Sequence, residues 1–254
     1  YAFLLIHKQY RDRHNFPELL VRAAGAFNSA RPTLSFKFLT DMILDWQKNN
    51  LALDKCILGF LETLKAKRIE QAREAAGLIE DGDVILTHCN MSGLMPLIGE
   101  LCRIEKKRIA FFVTETRPYL QGARLSAWEL QRAGFPVTII ADNMVAQVMH
   151  EAKVNKVIVG ADNLAQNGDI ANKIGTYQIA ILARHFKIPF YAVCPPASKA
   201  KSGDDIRIEI RPDRELLEYR GLRLAPKGVK GYYPAFDITP AGLITKHINL
   251  KLHE

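Results

Sequence analysis

The chain has 254 residues, of which 48% are hydrophobic and 24% charged, and its formal net charge is +8. This balance is typical of a globular protein, and no apolar run approaches the roughly 18 residues of a membrane helix. A positive charge suits nucleic acid and anionic metabolites equally. The basic runs "KAKR" (65–68) and "EKKR" (105–108) lack the interleaved aromatic residues of a nucleic-acid platform, so we interpret them as solvated helix faces. We expect neither a nucleic-acid nor a membrane partner.

The four cysteines, Cys56, Cys89, Cys102 and Cys194, are widely spaced and form no CxxC pair. A disulfide framework or a zinc site is therefore not expected, and a cytoplasmic location is predicted. No spacing typical of metal ligands is visible, so we expect no metal and no other cofactor. No signal peptide is visible either, which agrees with the predicted location. The sequence around Cys56, Cys102 and Cys194 predicts structural thiols on two helices and a buried strand.

The first 80 residues have helical periodicity, as in "FPELLVRAAGAF" (16–27) and "LSFKFLTDMILDWQ" (34–47), and show no strand pattern. From residue 81 onwards, five short apolar, β-branched runs alternate with helical stretches. The runs are "DVILTH" (83–88), "RIAFFVTE" (108–115), "PVTIIAD" (136–142), "KVIVGAD" (156–162) and "PFYAVCP" (189–195).

Strand–helix alternation at this spacing predicts crossover units and a parallel sheet that is buried on both faces. We therefore predict an α/β fold in which a helical N-terminal domain (residues 1–66) precedes a Rossmann-like, doubly wound, mainly parallel sheet domain (67–254). The sequence contains no GxGxxG, so dinucleotide binding has no support.

Ligands of such sheets bind at the carboxyl ends of the strands. The residues that follow the predicted strands are His88, Cys89, Asn90, Thr116, Arg117, Asp142, Asn143, Asp162, Pro195 and Pro196. Cys89 is either a general acid–base group with a tuned pKa or an inert structural thiol. Asp142 could simply cap the next helix, whereas the helix after Asp162 is predicted to start too far away for capping.

The stretch "VIVGADNLAQNGDIANKIGTYQIAILARH" (157–185) predicts a buried strand, a polar turn and then an amphipathic helix. Asn172 and Lys173 are expected at the mouth of that helix. Helix N-terminal amides attract anions and a lysine adds a full charge, so this segment predicts a site for a phosphorylated substrate beside Asp162.

Several blocks resemble the methylthioribose-1-phosphate isomerase family, which is related to ribose-1,5-bisphosphate isomerases and to regulatory subunits of translation initiation factor two-B. These blocks are "THCN" (87–90), "TETRPYLQGARLSAWEL" (114–130), "IADNM" (140–144), "VGADNLAQNGDIANKIGTY" (159–177), "PFYAVCP" (189–195) and "PAFDITPAGLIT" (234–245). The resemblance spans residues 17 to 246 and implies a homodimeric enzyme.

The resemblance also implies roles for individual residues. The family's catalytic cysteine and aspartate match Cys89 and Asp162. Its substrate contacts match Arg31, Gln121, Asn172 and Lys173. Arg117 and Asp142 lie in matching blocks, but the resemblance gives them no defined role.

The sequence also departs from the family pattern. An upstream Arg-Gly-Ala phosphate loop is absent, and "VRAAG" (21–25) lies too close to Arg31 to be that loop. We therefore expect a native chain that extends upstream of Tyr1 and includes an Arg-Gly pair. Asn163 replaces the usual arginine after the aspartate, and the Gly-Thr-Ala motif of the methylthioribose enzymes is missing.

The resemblance implies an aldose–ketose isomerase that acts on a phosphorylated pentose, with 5-methylthioribose 1-phosphate as the leading substrate. A second reading keeps the reaction and changes the substrate to 5-deoxyribose 1-phosphate or ribose 1,5-bisphosphate. A third reading is a non-catalytic regulatory or assembly subunit like those of initiation factor two-B. Those subunits typically lack the cysteine and aspartate that are present here.

Overall fold

The computed structural model describes residues 1–30, 33 and 37–252. The α-helices are α1 (Ala2–Tyr10), α2 (Phe16–Ala30), α3 (Lys37–Lys48), α4 (Leu53–Ala76), α5 (Leu94–Ile104), α6 (Ala127–Arg132), α7 (Val145–His150), α8 (Thr176–His185) and α9 (Arg214–Leu217). The strands are β1 (Val84–Thr87), β2 (Ala110–Thr114), β3 (Val137–Ile140), β4 (Lys156–Gly160), β5 (Asn163–Leu164), β6 (Ile170–Lys173), β7 (Phe190–Cys194), β8 (Ile210–Arg211), β9 (Glu218–Tyr219), β10 (Leu222–Arg223), β11 (Tyr233–Pro234), β12 (Phe236–Thr239) and β13 (Lys246–Asn249). Within these described ranges, no helix combines the length and apolarity that crossing a bilayer requires.

The N-terminal region is helical, as its periodicity predicts, and β1 is the first strand among the described residues. The apolar faces of α1 to α4 meet in a core of their own. Its buried members are Phe3, Phe16, Leu20, Ala24, Ile43, Leu53 and Ile57. Helix α4 then continues without a break past residue 66, and its C-terminal half packs Ala72, Ala75 and Ala76 against the core of the sheet. The division of the chain at 66/67 stays a prediction.

The central sheet contains six parallel strands in the order β13-β7-β4-β1-β2-β3. Each of the five predicted runs contains one of these strands, so the prediction of a parallel Rossmann-like sheet is confirmed. Numbered by chain position within this sheet alone, the strands run 6-5-4-1-2-3, which is the Rossmann order. The sixth strand, β13, was not predicted.

The sheet is buried on both faces, as its apolar runs predict. In β4, Val157 and Val159 lie in one core cluster and Ile158 lies in the other. Helices α4, α5 and α6 supply residues to the cluster that contains Ile158, whereas α7 and α8 supply the opposite cluster. Alternate side chains of a strand point to opposite faces, so a β-branched run can fill both layers.

A small antiparallel sheet has the order β12-β6-β5, in which β5 and β6 lie between β4 and α8 in the chain and β12 is supplied from near the C-terminus. The sequence predicts a polar turn where β5 and β6 form, because "DIANK" has too few apolar residues to indicate a strand. Its residues are nevertheless buried, since β6 pairs on one side with β5 and on the other with β12. Asn172 and Lys173 are therefore the last two residues of strand β6, and not the start of the following helix as the sequence predicts.

Candidate active site

The candidate site lies at the point where the winding of the sheet reverses. Strands β1 and β4 are neighbours, but the chain leaves β1 towards β2 and leaves β4 towards β7, on opposite sides. Ligands of open α/β sheets bind in the crevice that forms at such a switch point. A cavity of about 400 Å³ lies there, and it is lined by residues that follow both strands. This volume is within the usual range for small-molecule sites.

The cavity brings together most of the residues that the sequence selects. Cys89, Gln121, Asp162, Asn172 and Lys173 all line it. Arg31 lies outside the described residues. Thr33 accepts hydrogen bonds from Asn163 Nδ2 to its carbonyl oxygen (2.9 Å) and from the Glu209 N–H to its Oγ1 (3.0 Å). Thr33, two positions after Arg31 in the chain, is thus held next to Asn163, the residue that follows Asp162.

Cys89 is held in an unusual backbone conformation. Its φ is +63°, which is uncommon for a residue other than glycine. The Cys89 N–H donates to Thr116 Oγ1 at 3.0 Å, and its carbonyl oxygen accepts from Ser126 Oγ at 2.5 Å. Such conformations persist where surrounding contacts fix them, and they concentrate at functional sites. The half-buried thiol is therefore presented by a backbone that is fixed on both sides.

Asp142 supports this arrangement from the end of β3. Its two carboxylate oxygens accept the backbone N–H groups of Thr116 (2.8 Å) and Arg117 (2.7 Å). Thr116 in turn accepts from Cys89. Asp142 therefore fixes the loop after β2.

Gln121 begins a π-helical turn, Gly122–Ser126, that leads into α6. Glycine is required at 122, because an added Cβ would lie 1.8 Å from the carbonyl oxygen of Thr114. This close approach places Gln121 beside the cavity. Its Oε1 atom is buried and has no hydrogen-bond partner among the described residues. A buried acceptor without a donor is costly, so this atom points to a ligand that carries a hydroxyl or an amine.

Asn172 and Lys173, which the sequence assigns to the substrate site, are both buried. They end strand β6 and do not belong to the first turn of α8. Asn172 Nδ2 donates to Thr176 Oγ1 at 2.9 Å, and Lys173 Nζ lies 4.4 Å from the centroid of the Phe236 ring. Lysine is seldom buried to this extent, and here its positive charge lies in the wall of the cavity.

The N-terminus of α8 is occupied by a side chain of the protein itself. The Asp237 carboxylate accepts the backbone N–H groups of Gly175 (2.7 Å) and Tyr177 (3.1 Å). Asp237 also pairs with Asn172 in the β12–β6 ladder. The prediction that these helix amides receive the substrate phosphate is therefore wrong in the present structure, where Asp237 provides the anion.

His88 connects the end of β1 with the turn before α8. Its Nε2 donates to the carbonyl oxygen of Ile174 at 2.9 Å, and its Nδ1 lies 2.6 Å from Thr114 Oγ1. Burial lowers the pKa of His88, so the ring is neutral at pH 7. Because both ring nitrogens are used inside the protein, we assign His88 a structural role.

Sequence reasoning missed the contribution of α4. Leu64, Arg68 and Gln71 are spaced at i, i+4 and i+7, so they share one helix face, and all three line the cavity. Gln71 Nε2 donates to the carbonyl oxygens of Cys194 (2.8 Å) and Ile248 (2.7 Å), which fixes α4 across the ends of β7 and β13. The "KAKR" run was interpreted as a solvated face, and for Arg68 that interpretation is wrong. The polar residues Arg68 and Gln71 on the face shared with Leu64 are the sequence signal that could have revealed this wall of the cavity.

The other thiols lie in apolar surroundings. Burial raises the pKa of Cys102 to about 11 and that of Cys194 to about 12. Neither thiol therefore ionises near neutral pH. Among the described residues, no group of three His, Cys, Asp or Glu side chains is placed to hold a metal ion.

A Rossmann-ordered sheet with a polar cavity at its switch point defines an α/β protein whose cavity lies where folds of this class bind their ligands. A profile of the Initiation factor 2 subunit family matches residues 6–249, and the chain belongs to that family.

Relatives and solved structures resemble most of this chain. A methylthioribose-1-phosphate isomerase from Geotalea uraniireducens (strain Rf4) is 46% identical over 218 residues, which cover 76% of this chain and 63% of that protein. The chain thus spans less than two thirds of that relative. The crystal structure of 5-methylthioribose 1-phosphate isomerase from Pyrococcus horikoshii OT3 has a TM-score of 0.78 and 34% identity, covering 92% of this chain and 71% of that one. Translation initiation factor eIF-2B, subunit delta, from A. fulgidus has a TM-score of 0.75 and 35% identity, covering 92% and 74%.

Proposed function

We propose that this protein is an aldose–ketose isomerase that converts 5-methylthioribose 1-phosphate to the corresponding 2-ketose 1-phosphate. The observation that carries this proposal is the convergence of Cys89 and Asp162 on one cavity that is also lined by the buried Lys173. The similarity to proteins named methylthioribose-1-phosphate isomerase supports the same reaction.

The reaction moves hydrogen within one molecule, so it needs no external oxidant or reductant. In our proposal, Asp162 donates a proton to the ring oxygen as the sugar opens and then takes the proton from the C2 hydroxyl. The hydrogen on C2 moves to C1, which keeps its phosphate, and C2 becomes the ketone. Cys89 is assigned to the C1/C2 centre, either as an acid–base group or by stabilising charge. General acid–base groups of this kind typically contribute ~10²–10⁴-fold to the rate.

The remaining cavity residues are assigned to binding. Gln121 Oε1 would accept a hydrogen bond from a sugar hydroxyl, which would satisfy an acceptor that has no partner among the described residues. Lys173 would bind the phosphate or an adjacent anionic oxygen, and Asn172 would bind beside it. We keep Arg31 as a further phosphate contact on the basis of the family resemblance.

The substituent at C5 is assigned from the character of the cavity wall. Leu64, Leu94, Leu125, Phe236 and Leu250 contribute to the lining. A methylthio group is apolar and gains free energy when it contacts such side chains, at about 25 cal/mol per Å² of surface removed from water. This favours the methylthio sugar over ribose 1,5-bisphosphate, which carries a charged phosphate at C5.

A regulatory subunit without catalysis is the competing class of function, since the A. fulgidus protein that shares this fold is named as a translation initiation factor subunit. The presence of both Cys89 and Asp162 favours the enzyme. We further propose a cytoplasmic homodimer, which sedimentation velocity would test for the oligomeric state.

The deciding experiment is an incubation with 5-methylthioribose 1-phosphate, 5-deoxyribose 1-phosphate and ribose 1,5-bisphosphate in parallel, with ketose formation followed in each. We expect fastest turnover of the methylthio sugar. The melting temperature is measured in the same samples, because a ligand that binds the native state raises it. Stabilisation by all three sugars without any ketose would identify a binding protein and contradict the proposal.

A further inference from the structure

Arg68 is a cation of the cavity that the assignments above do not use. It lies on α4, its side chain is half-buried, and it faces the same space as Cys89 and Lys173. Helix α4 otherwise contributes Leu64 and Gln71 to this wall, and Gln71 Nε2 donates two hydrogen bonds that hold the helix against the sheet. Arg68 is thus the charged side chain that α4 presents to the cavity.

Much of the hydrogen-bonding capacity of Arg68 is unused. Its Nη2 donates to the carbonyl oxygens of Ser92 (2.9 Å) and Met91 (3.2 Å). A guanidinium group has five N–H donors, so three donors remain. Those three have no hydrogen-bond partner among the described residues, and no carboxylate there forms an ion pair with Arg68. By contrast, Arg103 pairs with Glu100 and Arg211 pairs with Glu215.

The two bonds that Arg68 does make orient the remaining donors. Met91 and Ser92 also line the cavity, in the loop that follows Cys89. Because the guanidinium group is planar, fixing Nη2 on this loop limits the directions in which Nη1 and Nε can point. Nη1 and Nε of Arg68 therefore offer N–H donors in one plane, and this half-buried cation has no carboxylate partner among the described residues. Coplanar donors of this kind match the geometry of phosphate oxygens.

We infer that Arg68 is a second anion-recognition residue of this cavity and contacts a phosphate of the bound sugar. This inference rests on the proposed function for the identity of the sugar, but not for the presence of an anion. Lys173 and Arg68 approach the cavity from β6 and α4, so two cations from separate elements face one ligand. A sugar bisphosphate would use both cations at its two ends, whereas a 1-phosphate would place both on one group.

The test is calorimetric titration of the Arg68→Gln protein with three probes: inorganic phosphate, 5-methylthioribose 1-phosphate and ribose 1,5-bisphosphate. Arg73→Gln is the matched control, because Arg73 lies on the same helix, carries the same charge and is exposed. Loss of a charge-assisted contact should weaken affinity about tenfold or more. Arg73→Gln should change it less than twofold.

The probes separate the two phosphates. Equal loss for both sugars assigns Arg68 to the C1 phosphate, and loss for the bisphosphate alone assigns it to the C5 phosphate. Arg68→Lys keeps the charge but loses the planar fork, so we expect an intermediate loss. The inorganic phosphate titration remains informative even if no sugar is isomerised.

A structural role for Arg68 predicts a different pattern. If its two carbonyl contacts were its whole purpose, Arg68→Gln would lower the melting temperature while affinity for every probe matched that of Arg73→Gln. That result would overturn the inference. If Arg68→Gln fails to fold, the same comparison is made with Arg68→Lys, and unchanged affinity for all three probes again overturns it.

Discussion

The Asp237 carboxylate accepts the backbone N–H of Gly175 at 2.7 Å, across 62 residues of chain. Gly175 directly precedes α8 and lies two residues after Lys173. Asp237 therefore fixes the turn between a cavity lysine and the helix that follows it, and His88 fixes the same turn through Ile174. These two contacts tie β1, β6 and β12 together beside the cavity.

The buried carboxyl group of Asp237 should make the stability of the protein depend on pH. Burial raises its pKa to about 6, although the Gly175 and Tyr177 amides partly oppose this. A carboxyl group whose pKa is higher in the folded protein than its unfolded value of 3.8 favours folding below that value. The contribution is lost as the pH rises through 6. We expect the free energy of unfolding of the wild type, relative to Asp237→Asn, to fall by on the order of 1–3 kcal/mol between pH 4 and pH 7.

Urea denaturation of both proteins across this pH range measures the difference. Asp169→Asn is the control with the opposite sign. Burial opposes the shift, but hydrogen bonds from Ala241, Asn167 and Gly203 lower the pKa of Asp169. Its stabilisation is therefore fully present above pH 4 and should stay flat up to pH 7. A difference in unfolding free energy between the wild type and Asp237→Asn that stays constant from pH 4 to pH 7 would show that the pKa of Asp237 is not raised.

Lys173 predicts a loss of phosphate affinity on truncation. In Lys173→Ala, the cavity loses a buried cation, so we expect sugar phosphate to bind ~10–150-fold more weakly. Calorimetry measures this, with Lys187→Ala as the control because Lys187 is exposed beyond the other end of α8. Equal affinities for the two variants would remove Lys173 from the binding site.

The cysteines predict a distinct labelling order. Burial raises the pKa of Cys102 to about 11 and of Cys194 to about 12, so both thiols stay protonated at pH 8. The thiolate is the reactive form, so iodoacetamide should modify neither in the folded protein. Cys89 faces the cavity and should react, and bound sugar phosphate should slow that reaction. Peptide mass spectrometry measures each site; modification of Cys102 or Cys194 before Cys89 would contradict this assignment.

Local patterns in the sequence predict the main sheet and the helical N-terminal region, because each central strand is apolar enough to stand out. They do not predict β6, since the residues "IANK" are buried only by pairing with β5 and β12. They do not predict β13 either, because "KHIN" combines polar and apolar residues and is stabilised by β7.

The residues of the candidate site likewise fall into those that local sequence motifs reveal and those that only the tertiary structure reveals. Cys89, Gln121, Asp162, Asn172 and Lys173 lie in continuous motifs, so the family resemblance finds them and the structure gathers them around one cavity. Arg68 and Asp237 form their hydrogen bonds with residues that are distant in the chain. The sequence around each of them does not indicate which residues those are. The "KAKR" run of α4 is interpreted as a solvated face because nothing in the local sequence shows that Arg68 meets the loop after β1.

The most direct test of the proposed mechanism is the turnover number for 5-methylthioribose 1-phosphate in the wild type, Cys89→Ala and Asp162→Asn. NMR can follow appearance of the 2-ketose, and calorimetry verifies that each variant binds the sugar. We predict conversion by the wild type and at least ~100-fold slower turnover in each variant, as expected for lost acid–base groups. Cys56→Ala, at a half-buried position on α4, should keep the wild-type rate. A Cys89→Ala protein that retains more than about a tenth of the wild-type rate would contradict the proposed mechanism, since it would leave Cys89 with a structural role only.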